Sequence, residues 1–114
     1  VDLTLVASTS VKPDTARYFE DNGSPCTQNP VRVFEAGVVD MGTRYDCLDV
    51  ASGVKSKNMG LQAKENRQAL NDLMAAEGFK GYSKEWWHFS LKDEPFKKTY
   101  FDFPVVEPKI EDLL

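Results

Sequence analysis

A chain of 114 residues with 14 lysines and arginines against 18 aspartates and glutamates carries a net charge of −4, and its scattered cations form no basic stripe, which argues against nucleic acid as a partner. Hydrophobic residues at 41% and aromatics at 11% are enough for one packed core, and the length fits a single domain or part of one. No apolar run approaches the roughly 18 residues of a membrane span, and no signal-peptide pattern opens the chain.

In chain order, VDLTLVAS alternates, with Val1, Leu3 and Leu5 on one face and Asp2, Thr4 and Val6 on the other. That is the pattern of a half-buried strand with a carboxylate at its start. From Ser8 to Pro30 the chain turns polar, and KPDT, DNGSPC and QNP supply turn signals, so a long loop or inserted excursion is expected. VRVFE and GVVDMG each read as short strands flanked by Gly37 and Gly42. Over Leu61 to Glu77, the residues Leu61, Leu70, Leu73 and Met74 recur near the helical period, and Gly78 follows as a C-terminal cap. Lys64, Glu65, Arg67 and Asp72 form the expected solvated face of that helix. In FKGYSKEWWHFSLKDEPF the aromatics Trp86, Trp87 and Phe89, with Leu91, favour a strand closed by a turn at KDEP. The tail YFDFPVVEPKIEDLL, with prolines at 104 and 108, is expected to run extended along the surface. The sum is an α+β arrangement, a small and mostly antiparallel sheet with one helix on a face.

Cys26 and Cys47 lack the C-x-x-C spacing of a zinc knuckle or thioredoxin-type pair. They are either a disulfide or two free thiols. The polar turn NGSPCTQNP, where an exposed thiol would be a liability, favours the bridge. A bridge would stabilise by about 3 kcal/mol in the chain-entropy model. It would also favour an oxidising compartment, the bacterial periplasm, over the cytoplasmic alternative.

SKEWWHFSL holds both tryptophans and the single histidine. Glu85 and His88 stand three apart, which on a regular strand sends them to opposite faces. They can share a site only if Glu85 lies at the strand's entrance or in a bulge that turns it. The pattern alone fits a satisfied core histidine as well as half of a metal site.

SKEWWHFSLKDEPFKKTYFDFPV, with MGTRYD and the opening VDLTL, resembles the VanX-type D-alanyl-D-alanine dipeptidases, zinc enzymes of the lysostaphin and D-Ala-D-Ala peptidase superfamily. The resemblance covers most of Val38 to Val105 and the first strand. In that family zinc is held by a histidine and an aspartate of an S-x-H-x-x-G-x-A-[VI]-D stretch and by the histidine of E-x-W-H. Val1-Asp2 looks like the end of the first motif, which makes Asp2 and His88 the implied zinc ligands. Glu85 matches the catalytic base, and Asp46 matches the carboxylate that receives the substrate's ammonium group.

The implied chemistry suits these residue types. A catalytic zinc takes three protein ligands of N or O type and keeps a position for water. A carboxylate beside that water can take its proton and deliver it to the leaving amine. A free dipeptide is a zwitterion, so its ammonium needs a carboxylate; for Asp46 a plain turn cap after Gly42 is the other reading. Trp86 and Trp87 read as walls and packing. The implied fold places the zinc cleft on one face of the sheet and the helix behind it.

The family's first zinc histidine, its substrate-binding serine and an upstream arginine have no counterpart here. The resemblance therefore implies that 1–114 is the C-terminal part of a single zinc dipeptidase domain. The third ligand would then come from an N-terminal fragment or companion chain, and the 114-residue chain alone would be inactive. The excursion from Ser8 to Val33 is longer than expected for compact members, and a Cys26–Cys47 bridge would staple it beside Asp46. The expected function is hydrolysis of D-alanyl-D-alanine to two D-alanines, in cell-wall precursor removal or peptidoglycan recycling. The rivals are a D,D- or L,D-carboxypeptidase acting on muropeptides, and a metal-free binding module in which EWWH is core.

Overall fold

The computed structural model describes residues 1–7, 23–28 and 37–104. Its regular elements are helix α1 (Leu61–Ala76) and an antiparallel hairpin of β1 (Phe79–Tyr82) and β2 (Glu85–Leu91), with a short 3-10 turn at Val50–Ser52. This is the α+β arrangement expected. VRVFE, most of the polar excursion and the tail beyond residue 104 lie outside the described residues.

The opening segment extends the sheet through isolated bridges and not as a continuous strand. Asp2 bridges His88 and Val6 bridges Val38, both antiparallel. The Leu3 amide donates to the Trp87 carbonyl at 3.0 Å and the Phe89 amide to the Val1 carbonyl at 2.9 Å. On its other edge, the Ala7 amide donates to the Gly37 carbonyl and the Val39 amide to the Leu5 carbonyl. Residues 1–7 thus lie between β2 and the segment at 37–39. Leu3 and Leu5 turn inward against the core, as their alternation predicts, while Val1 stays exposed.

The core is Met41, Leu70, Trp86, Trp87 and Phe89. Two consecutive tryptophans are buried because β2 is covered on both sides. Phe89 faces α1 across Gly81, where a Cβ would stand 2.8 Å from Asn71 Oδ1 and 3.5 Å from the Phe89 ring. The opposite side of Trp86 is covered by the 40s segment, and its indole N–H donates to Thr43 Oγ1 at 2.8 Å. The two indoles meet edge to face at 5.3 Å, a favoured aromatic geometry.

The helix ends one residue before the expected Glu77, with Gly78 supplying a left-handed stop at φ 83°. Its buried stripe differs from the expected one. Leu61 and Leu73 are 73% and 58% exposed, whereas Ala63, Arg67 and Leu70 are buried, followed by half-buried Met74. Their spacing is that of one helical face, and the expectation that Arg67 is solvated is wrong. At 3% exposure, its Nε donates to the Met41 carbonyl at 2.6 Å, Nη1 to Gly53 at 2.8 Å and Nη2 to Ala51 at 3.0 Å. Gly42, at φ 83°, makes room for this: a Cβ there would meet Met59, Ala63 and Arg67 Nη2 at 3.2–3.4 Å. Burial pushes the guanidinium pKa down to about 10, with Asp40 opposing the shift, so Arg67 stays charged at neutral pH.

Replacing Arg67 with methionine keeps the stem and strands three carbonyls. Each unsatisfied buried group costs about 1–3 kcal/mol, so Arg67→Met is expected to lower the unfolding free energy by about 3 kcal/mol or more. Urea unfolding measures it; a loss below about 1 kcal/mol would mean that the carbonyls find other partners.

Candidate functional site

His88 sits in β2 opposite Asp2, and side chains of directly opposed residues project to the same side of a sheet. The two meet, with His88 Nδ1 and Asp2 Oδ1 2.7 Å apart, and both side chains remain about 40% exposed, at 39% and 44%. His88 is therefore not a buried core histidine. Phe89 faces the helix and its neighbour His88 alternates to the other side, so α1 lies behind the face that bears this pair. Tyr82 flanks it, its ring edge-on to the imidazole at 5.8 Å.

Glu85 opens β2. The hairpin register runs Phe79↔Leu91, Lys80↔Ser90 and Gly81↔Phe89, then jumps to Tyr82↔Glu85. Residues 86–88 are thus passed over by β1, and the strand is irregular between Glu85 and His88. The three-residue spacing asked for a strand entrance or a bulge, and Glu85 is the first residue of the strand, beside the register break. Glu85 is half-buried and lines an open cleft of about 450 Å³ with Cys47, Leu48, Asp49, Val50 and Ser83. Asp2 and His88 are not among the residues lining that cleft.

Asp46 is exposed and adopts φ 59°, a left-handed conformation unusual for a residue with a Cβ. Earlier in the same segment, the Gly42 amide donates to Asp40 Oδ1 at 2.8 Å. The residue before Asp46 links it to the histidine side of the site. Tyr45 packs against both tryptophans at 6.4 and 5.8 Å. Its phenol pKa is raised above 10.0, first by burial and then by the charges of Asp2 and Asp46, so both carboxylates are within electrostatic reach of one hydroxyl. Sequence reasoning missed Tyr45, although it sits inside MGTRYD next to Asp46.

Cys26 and Cys47 form a disulfide with Cα atoms 5.5 Å apart. A directed chain of hydrogen bonds fixes the turn from behind. The Trp86 indole donates to the Thr43 hydroxyl, that hydroxyl lies 3.0 Å from Ser52 Oγ, and the Ser52 hydroxyl donates to the Cys47 carbonyl at 2.6 Å. Trp86 and Trp87 are 3% and 1% exposed, so they support the site from the core. Among the described residues, no group of three or more histidine, cysteine, aspartate or glutamate side chains is placed to hold a metal ion.

Residues 24–106 match the family described as D-ala-D-ala dipeptidase. The chain belongs to this peptidase family. It is 39% identical over 83 residues to a D-alanyl-D-alanine dipeptidase of Enterococcus faecium, covering 73% of this chain and 41% of that protein. A protein of the same name from Enterococcus faecalis is 41% identical over 68 residues, covering 60% of this chain and 34% of its own length. One from Streptomyces coelicolor is 43% identical over 65 residues, covering 57% and 32%. The chain thus spans 32–41% of the length of these relatives.

The two carboxylates acting on Tyr45 give a direct check of this geometry. The folded chain holds the phenol proton more tightly than the unfolded chain, so stability is full below pH 10 and falls as pH rises above it. In the phenolate absorbance difference between wild type and Tyr45→Phe, Tyr45 should titrate above 10, and Asp46→Asn should move that midpoint down. A midpoint indifferent to Asp46→Asn would mean that the carboxylate does not face the hydroxyl.

Proposed function

We propose that this protein hydrolyses the dipeptide D-alanyl-D-alanine to two D-alanines, with zinc held in part by Asp2 and His88. The observation that carries the reading is the meeting of Asp2 and His88 across the sheet at 2.7 Å, three residues beyond Glu85, in a chain of this family. The donor set fits the metal. An imidazole nitrogen and a carboxylate oxygen are zinc ligand types, and here they already stand together on a half-exposed face. Asp2 and His88 supply two of the three ligands, and the third comes from outside the described residues. A zinc ion bound there would polarise the peptide carbonyl and make water acidic enough to act at neutral pH.

The chain's own residues supply the rest. Glu85 takes the proton of the attacking water and passes it to the nitrogen of the departing amine as the peptide bond breaks. Asp46 pairs with the ammonium group of the substrate, which commits the site to a free N-terminus. Tyr45, a phenol that is neutral at physiological pH, adds no competing negative charge beside Asp46. The dipeptide's chemistry places the activity in cell-wall precursor removal or peptidoglycan recycling. The disulfide favours the periplasm as the compartment.

Two substitutions in the zinc-loaded full-length natural protein test this assignment. Glu85→Gln should lower kcat by about 10²–10⁴-fold, the range for loss of a general acid–base, while zinc content is unchanged. Full activity in that variant would remove Glu85 from the chemistry. Asp46→Asn should raise KM for D-alanyl-D-alanine by about 10–100-fold, the worth of a hydrogen-bonded charge, and leave the already poor KM for N-acetyl-D-alanyl-D-alanine unchanged. Efficient cleavage of the N-acetylated substrate by the wild type would favour a carboxypeptidase instead.

A further inference from the structure

Asp46 is gripped from both sides by one short segment. On its N-terminal side, the Arg44 amide donates to the Cys26 carbonyl at 2.9 Å, and Arg44 Nη2 donates to the Ser24 carbonyl at 2.7 Å. On its C-terminal side, Cys47, 2% exposed, is bonded through sulfur to Cys26. Residues 24–26 therefore hold Arg44 by hydrogen bonds and Cys47 by a covalent bond, with only Tyr45 and Asp46 between. Asp46 itself stands in the left-handed region at φ 59°. This conformation is less favourable than an extended or helical one for a residue with a Cβ, and it holds where neighbours over-determine it.

The remaining supports of the turn do not depend on the bridge. Arg67 holds the Met41, Ala51 and Gly53 carbonyls, and the Trp86–Thr43–Ser52 chain holds the Cys47 carbonyl. With the bridge open these contacts remain, and what is lost is the covalent hold of residues 24–26 on the C-terminal neighbour of Asp46. The disulfide also stands between two parts of the site, since Cys47 lines the cleft that contains Glu85.

We infer that the Cys26–Cys47 disulfide is a positioning device for Asp46, fixing the carboxylate that receives the ammonium end of the dipeptide. Opening it weakens recognition of that ammonium and leaves Glu85 in place. The inference rests on the role given to Asp46 above. It makes substrate affinity sensitive to the redox state of one bond. A trialkylphosphine opens that bond cleanly: phosphorus attacks one sulfur, the other leaves as a thiolate and takes a proton, and water hydrolyses the phosphorus–sulfur adduct. The products are the phosphine oxide and two protein thiols, with phosphorus losing the two electrons that the sulfurs gain.

The test compares the zinc-loaded full-length natural protein in oxidised and phosphine-reduced forms, each also as Asp46→Asn. Reduction should speed amide hydrogen exchange at Arg44, whose N–H donates to the Cys26 carbonyl at 2.9 Å two residues before Asp46, by about tenfold or more. It should raise KM for D-alanyl-D-alanine by about tenfold while kcat stays within about threefold. In Asp46→Asn, reduction should change KM by less than about twofold, because the group it acts through is gone. Cys26→Ser, which keeps the buried Cys47 side chain, should reproduce the reduced wild type; if it does not fold, the phosphine comparison decides alone. Unchanged exchange at Arg44, or an equal rise of KM with and without the Asp46 carboxylate, would reduce the bridge to a staple for stability. Absence of turnover in the oxidised protein would sink the peptidase reading itself, and the exchange comparison, which needs no substrate, would still decide whether the bridge holds Asp46.

Discussion

The guanidinium of Arg67 organises the half of this fold that lacks regular structure. Residues 40–53 contain one short 3-10 turn and no strand, so their backbone groups have few partners of their own. Three of their carbonyls are satisfied by one side chain projecting from α1. Asn66, one position earlier, donates to the Asp40 carbonyl at 2.7 Å. A cation in a buried stripe is costly unless hydrogen-bonded, and here each of the three guanidinium nitrogens donates to a carbonyl. The helix thereby serves as the anchor for the irregular segment that bears Tyr45, Asp46 and Cys47, as well as a cover for the hairpin.

That role explains where the sequence misleads. The helix itself is legible because leucines recur at its period and Gly78 stops it. Its orientation is not, because Leu61 and Leu73 outrank Ala63 by hydrophobicity, and an arginine on the inner face reads as solvated. The signal was present in the spacing of Ala63, Arg67, Leu70 and Met74, but only the three carbonyls, which no local pattern reveals, make burial of Arg67 favourable. The strand of Trp86, Trp87 and Phe89 was legible from aromatic content. Its register break was legible only as a condition that Glu85 and His88 would have to meet.

The site is similarly divided. The pairing of Asp2 with His88 came from a family resemblance and corresponds to a contact between them. The bridge was one of two readings of the cysteines, decided by a polar turn. Tyr45 had no signature of its own, since a tyrosine in a turn carries no sign of the two indoles it packs against until the chain is folded. Residue types announce their chemistry, whereas convergence is a property of the whole chain.

The separation of Asp2 from His88 along the chain, 86 positions, has a consequence for folding. A pair that distant in sequence gains nothing from local structure and forms only after a long loop has closed, at an entropic cost met by the sheet contacts on either side of it. The opening segment earns its place through backbone hydrogen bonds to β2 and to 37–39, all of them non-local. The histidine–carboxylate pair is therefore tied to the docking of residues 1–7: any loosening that frees that segment separates Asp2 from His88, while the helix and the hairpin keep their own local hydrogen bonds.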